Sequence, residues 1–226
     1  MDWRSFDPSW ARRPLAIACR EAIITKILGP LIAHYTHPTV SGLEVLDGTK
    51  PPVVFAANHS SHLDTPTILR ALPKEWRRRT ATIAAADYFY KNRIVANLVT
   101  LSFGTVPIER GGGMSKLTAD RLKRLTADGW SMLIYPEGTR SRSGEVGKLR
   151  SGAAYLAVEH RLPMIPIYVQ GTSAAMPVGR AWPRSHPVKV TFGDAVYPIP
   201  GDDHRSLTAR LEEALTNLSR TTPPNT

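Results

Sequence analysis

Apolar positions along the chain alternate between two periods, and that alternation predicts the architecture. Residues 52–57 form a short apolar run between Pro51 and Asn58 and read as a buried strand. Residues 65–72 then take helical spacing, with Pro66 in the first turn and Pro73 as the stop. Residues 80–86, 104–108, 131–135, 164–169 and 188–192 are further strand-like runs. A mixed aromatic and basic stretch at 88–98 reads as helical. So does the stretch from Ser115, with Leu117, Leu122 and Leu125 on one side and Gly129 where a C-terminal cap belongs. Leu149, Ala153, Leu156 and Ala157 share a face over residues 149–160, and Leu207, Leu211, Leu215 and Leu218 mark a last amphipathic helix. The alternation predicts an α/β fold, a mixed and mostly parallel central sheet flanked by helices.

Upstream of this pattern, residues 14–33 carry Leu15, Ile17, Ile23, Ile24, Ile27, Leu28, Leu31 and Ile32, interrupted by Arg20, Glu21 and Lys26. The interruptions exclude an ordinary transmembrane span, which needs about 18 or more uncharged apolar residues. Trp3, Phe6 and Trp10 stand beside Arg4, Arg12 and Arg13, with no small-residue cleavage site behind them. Two readings stay open: a helix lying in a membrane interface, or one packing on the domain's own core. The expected division is 1–36 as an N-terminal amphipathic, membrane-associating segment, 37–220 as the α/β domain and 221–226 as a disordered tail.

Charge narrows the partners. The 226 residues hold 29 Lys plus Arg, 21 of them Arg, against 19 Asp plus Glu, a net +10. Arg is the better fork for phosphate and carboxylate oxygens, so anionic partners fit, as does biased codon usage scattering Arg over a solvated surface; composition alone leaves both open. Nucleic acid is not among such partners, since the basic residues are dispersed apart from Arg77, Arg78 and Arg79 and no recognition motif is present. That run reads foremost as a solvated loop face. The single Cys19 excludes an internal disulfide and a thiolate metal cluster, which fits a reducing compartment.

Common catalytic signatures fail. Gly171-Thr172-Ser173-Ala174-Ala175 lacks the second glycine of a nucleophile elbow, Lys148 is followed by Leu149 rather than Ser or Thr, and Gly111-Gly112-Gly113 is no dinucleotide fingerprint. What remains is Asn58-His59-Ser60-Ser61-His62-Leu63-Asp64, between a strand and a helix, where ligands collect in open α/β sheets. On a regular helix His59 and Asp64 would lie about 140° apart and could not meet. If residues 60–63 form a tight turn instead, Asp64 can accept a hydrogen bond from one ring nitrogen of His59 and leave the other free for a proton. A metal reading of His59, His62 and Asp64 has spacing unlike the i, i+4 pair of H-E-x-x-H. With no protein nucleophile evident, such a base needs a substrate that brings its own hydroxyl.

A second constellation, Tyr135-Pro136-Glu137-Gly138-Thr139-Arg140-Ser141, again follows a strand. Gly138 permits close backbone approach, Thr139 and Ser141 offer hydroxyls, and Arg140 supplies a fork for a phosphate. Glu137 cannot itself bind phosphate, so it is expected to orient a basic side chain or to hydrogen-bond loop amides. A third, Pro107-Ile108-Glu109-Arg110, could bring Arg110 to the same anion.

In this order the blocks resemble the glycerolipid acyltransferase family. Asn58, His59 and Asp64 match its N-H-x-x-x-x-D hallmark, residues 106–110 its second block, 135–141 its third and Leu162-Pro163-Met164-Ile165-Pro166-Ile167 its fourth, spanning roughly residues 40–172. The resemblance implies transfer of a fatty acyl group from an acyl-CoA or acyl carrier protein thioester, a substrate and not a cofactor, to a hydroxyl of lysophosphatidate. It implies His59 as base and Asp64 as its orienter, with Arg110, Glu137, Gly138, Thr139 and Arg140 shaping a phosphate site and Asn58, Ser141 and Arg150 in support. No metal is implied. A lipid acceptor at the anionic cytoplasmic face of a membrane is the expected partner. Glycerol phosphate, a lyso-aminolipid or a glycolipid is an alternative acceptor, and a non-catalytic membrane- or anion-binding protein is the alternative class. Two positions depart from the family pattern: Glu109 stands where Asp is frequent, and Leu149-Arg150-Ser151-Gly152 replaces an F-K-K-G-like segment.

Overall fold

The computed structural model describes residues 1–109, 115–141, 146–180 and 182–222. Among these residues seven strands form one sheet: β1 (Thr39–Ser41), β2 (Val54–Ala57), β3 (Thr80–Ala85), β4 (Thr105–Ile108), β5 (Ser131–Ile134), β6 (Met164–Gln170) and β7 (Lys189–Phe192). Their spatial order is β1-β7-β6-β2-β5-β3-β4. Every pairing is parallel except β6 with β7, so β1 and β7 run against the other five. The expected mixed, mostly parallel sheet is present.

The helices are α1 (Pro14–Ala22), α2 (Gly29–Thr36), α3 (Asp64–Ala71), α4 (Lys74–Arg78) and α5 (Ala86–Phe89), then α6 (Arg93–Phe103), α7 (Lys116–Ala127), α8 (Gly152–His160), α9 (Thr172–Ala175) and α10 (His204–Thr221). β2 shows why they flank both faces. All four of its residues are buried, Val54 and Ala56 in a core shared with Leu122 and Leu125 of α7, Leu156 of α8 and Leu211 of α10. Phe55 and Ala57 point the other way, to Ile68 and Leu69 of α3. A strand buried on both faces reads as a continuous apolar run, which is how the sequence shows it.

Several expectations need correction. The 88–98 stretch is two helices, broken where the Asn92 side chain accepts from Ile94 N and Val95 N and caps α6. Leu149 is buried but precedes α8. Strand β1, exposed throughout, has no apolar alternation to announce it. Arg77 does not lie on a solvated loop: it lies within α4, is buried, and pairs through Nη2 and Nε with the carboxylate of Glu21. Its Nη1 also donates to Leu72 O at 2.9 Å, closing the C-terminus of α3. In the expected tail, Thr221 completes α10 and Thr222 is buried, with its hydroxyl on Leu218 O; residues 223–226 lie outside the described residues.

The 1–36 segment is sewn onto the domain. Phe6 is buried edge-on against Tyr90, 5.2 Å between centroids, so this aromatic faces the protein's own core. Between α1 and α2 the chain makes a π-helical turn, Ile23–Leu28, with Ile24 wholly buried in the α3 core. The wider turn rephases the outward positions, and Leu15, Ile27 and Leu31 remain exposed. Among the described residues no helix is long and apolar enough to cross a membrane.

Candidate active site

Because β2 to β6 are mutually parallel, the loops leaving β2, β5 and β6 converge at one edge of the sheet. Asn58 sets the first of them. Beyond the end of β2 its side chain imitates one more rung of the β2–β6 ladder, Nδ2 donating to Val169 O (2.9 Å) and Oδ1 accepting from Val169 N (2.7 Å). The next residues turn tightly, and Asp64 becomes the first residue of α3.

The turn brings His59 and Asp64 together, with Nδ1 to Oδ2 at 2.8 Å. The same Oδ2 accepts from Ser60 N at 2.7 Å and Ser61 N at 2.9 Å. Asp64 is completely buried. Two backbone N–H groups already point at Oδ2, which suits it to accept; the His59 tautomer that completes this set carries its proton on Nδ1 and leaves Nε2 as an acceptor. His59 is also held from behind. Its N–H donates to Glu137 Oε1 (2.8 Å), its carbonyl accepts from Ser141 N (2.7 Å), and its ring stacks on Tyr135 at 4.1 Å and 23°. The Tyr135 hydroxyl meets Thr65 Oγ1 at 2.7 Å, and burial pushes its ionisation well above the ordinary range.

Glu137 fulfils the loop-amide expectation. Its second oxygen accepts from Gly147 N at 3.1 Å, and burial raises its pKa in spite of the two amide bonds. It stands behind His59 and is absent from the cleft wall. Gly138, at φ +75°, turns the chain past the Arg150 side chain; a Cβ there would meet Arg150 Nε at 2.7 Å. Gly138, Thr139 and Arg140 line the cleft, whereas Arg150 is exposed and borders Gly138 from outside. Arg110 lies outside the described residues. Its neighbour Glu109 accepts from Ser115 N and from Thr118 Oγ1 (2.5 Å) at the start of α7. Partial desolvation opposes its ionisation, but these hydrogen bonds prevail and hold its pKa at about 2.

His59 lines a cleft of about 560 Å³, within the range of small-molecule sites. Much of the lining is apolar, with Ile83, Ala84, Val99, Phe103 and Ile134 beside the hydroxyl-bearing Thr82 and Thr105. At the mouth His62 Nε2 lies 3.1 Å from Tyr88 Oη, and the Arg140 guanidinium lies 5.7 Å from the Tyr88 ring. Desolvation, then Arg140, lower the pKa of His62. His62 thus turns to Tyr88 and away from Asp64, and among the described residues no group of three His, Cys, Asp or Glu is placed to hold a metal ion.

A family model described as Acyltransferase matches residues 37–170, more than half of the chain. The chain belongs to the acyltransferase family. It is 32% identical over 167 residues to a chloroplastic 1-acyl-sn-glycerol-3-phosphate acyltransferase of Brassica napus, covering 72% of this chain and 46% of that one. Against the human 1-acyl-sn-glycerol-3-phosphate acyltransferase beta it is 30% identical over 125 residues, 54% of this chain and 43% of the relative. The chain therefore spans somewhat under half the length of these curated relatives. The crystal structure of the 1-acyl-sn-glycerophosphate acyltransferase PlsC from Thermotoga maritima superposes with a TM-score of 0.73 at 21% identity, over 97% of this chain and 85% of that one, which shows a shared fold.

Proposed function

We propose that this acyltransferase moves a fatty acyl group from an acyl thioester, acyl-CoA or an acyl carrier protein, to the free hydroxyl of lysophosphatidate. The observation that carries this reading is a carboxylate-held histidine lining a mostly apolar cleft that Arg140 also lines. His59 Nε2 takes the proton of the acceptor hydroxyl as its oxygen attacks the thioester carbonyl. The tetrahedral intermediate collapses with cleavage of the C–S bond, and the imidazolium returns its proton to the departing thiolate. Asp64 holds the ring and balances the transient positive charge, a role of the kind it has in other carboxylate–histidine pairs. Arg140, beside Gly138 and Thr139, meets the acceptor's phosphate, and the family pattern adds Arg110. The apolar walls take the acyl chain.

Thiol release from palmitoyl-CoA, with and without lysophosphatidate, tests this in wild type and His59→Ala. Acceptor-dependent release lost in the variant is the expected result, and release that survives it overturns the assignment. Competition among lysophosphatidate, glycerol phosphate, a lyso-aminolipid and a glycolipid identifies the acceptor class.

The same reading places the protein on an anionic bilayer through the exposed Leu15, Ile27 and Leu31, with Arg13 and Lys26 beside them. Removing residues 1–36 would uncover Ile24 and strip Arg77 of Glu21, so substitution is the cleaner test. Leu15→Asp with Ile27→Asp should abolish co-sedimentation with phosphatidylglycerol vesicles and leave the fold intact. Undiminished binding would refute the N-terminal contact.

A further inference from the structure

Asp64 is the completely buried carboxylate of the site, and among the described residues its ion-pair partner is His59. One of its oxygens is saturated by His59, Ser60 and Ser61. The other, Oδ1, accepts from Thr172 Oγ1 at 2.5 Å. Thr172 is itself completely buried and 108 residues away in sequence. Ser60 Oγ lies 3.1 Å from the same hydroxyl. A threonine has one proton to give. With that proton committed to the carboxylate, Ser60 donates to Thr172 and Thr172 donates to Asp64.

The fold explains how this residue arrives. Asn58 locks the end of β2 to Val169 of β6. Gly171, at φ +92°, then reverses the chain directly after β6, so that the first residue of α9 stands over the β2 loop. Three donors on Oδ2 keep that oxygen in place but leave the carboxyl plane free to swing about it. The Thr172 hydroxyl on Oδ1 removes this freedom and so aims Oδ2 at His59 Nδ1.

We propose that Thr172 is a positioning residue of the acyl transfer, acting through Asp64 on the orientation and proton affinity of His59. The proposal rests on the His59–Asp64 reading of the reaction above. Thr172→Val preserves the branched shape and replaces the hydroxyl by a methyl group, which also takes the partner from Ser60 Oγ. A hydrogen bond to a charged group, once lost in a buried site, is expected to lower kcat about ten- to a hundredfold. KM for both substrates should stay within about twofold, because Thr172 is absent from the cleft lining. Thr172→Ser, which keeps the hydroxyl, should recover most of the activity. The His59 Nδ1–H proton resonance should move upfield in Thr172→Val and return in Thr172→Ser.

The experiment measures kcat and KM for wild type, Thr172→Val, Thr172→Ser and His59→Ala, with thermal melts on each. A fall in kcat for Thr172→Val that Thr172→Ser restores, with melts above the assay temperature, supports the proposal. Loss of activity in His59→Ala with Thr172→Val unchanged overturns the proposal alone. Equal losses in Thr172→Val and Thr172→Ser also overturn it, since packing and not the hydroxyl would then be at work. Activity retained by His59→Ala overturns the underlying reading together with it. If Thr172→Val does not fold, Thr172→Ala serves in its place, and the same kcat loss and proton shift are required of it.

Discussion

Replacing Asp64 with Asn isolates the charge from the geometry of the pair. The amide has only one way to fit. Its oxygen must occupy the Oδ2 position, because an NH2 there would face the N–H groups of Ser60, Ser61 and the His59 ring. The NH2 then faces Thr172 Oγ1, whose hydroxyl can rotate to accept. The backbone turn is therefore retained, and a stability loss of only about 1 kcal/mol is expected. The transition state loses far more. With charge centres about 4 Å apart and an effective dielectric constant of about 20, the carboxylate attracts an imidazolium by about 4 kcal/mol. At 1.36 kcal/mol per decade of rate, Asp64→Asn should lower kcat about 10³-fold. Acceptor-dependent thiol release under saturating substrates measures it, with circular dichroism as the check on the fold. A variant that keeps kcat within about tenfold of wild type would refute the reasoning, because the charge on Asp64 would then be irrelevant to the chemistry.

Other perturbations separate support from chemistry. Arg77→Ala leaves the Glu21 carboxylate and the α3 terminus without their partner, and should cost about 3 kcal/mol of stability. The hydrogen bond from Arg77 depresses the Glu21 pKa below its ordinary 4.5, so the pair's contribution is present above that value and fades as pH falls through the folded one. Acid melts of Arg77→Ala should accordingly show a shallower loss below about pH 4.5 than wild type, and an equal slope would refute the assignment. Gly138→Ala forces a side chain into φ +75° against Arg150, and should cost about 1–2 kcal/mol while raising KM for the acceptor. Tyr135→Phe loses the bond to Thr65, about 1 kcal/mol, but keeps the ring on His59, so chemical denaturation should change and kcat should not.

The interior strands, the long helices and the pairing of His59 with Asp64 were legible in the sequence because each is a local matter. A four-residue strand buried on both faces must be apolar throughout, as β2 is, and a helix with one buried face must repeat as α10 does. The His59–Asp64 contact closes over five residues, so a short turn suffices to form it. The contacts that tertiary structure decided leave no such periodic trace. Glu137 reaches the His59 amide across 78 residues, Arg77 reaches Glu21 across 56, and Thr172 reaches Asp64 across 108. Thr172 lay in plain view as part of a failed nucleophile elbow, and Arg77 within a run that looked merely basic. Thr172 finds its partner because the sheet sets the ends of β2 and β6 side by side, and Arg77 because α1 packs beside α4. That order arises from packing of the whole chain, and no window along it carries the information.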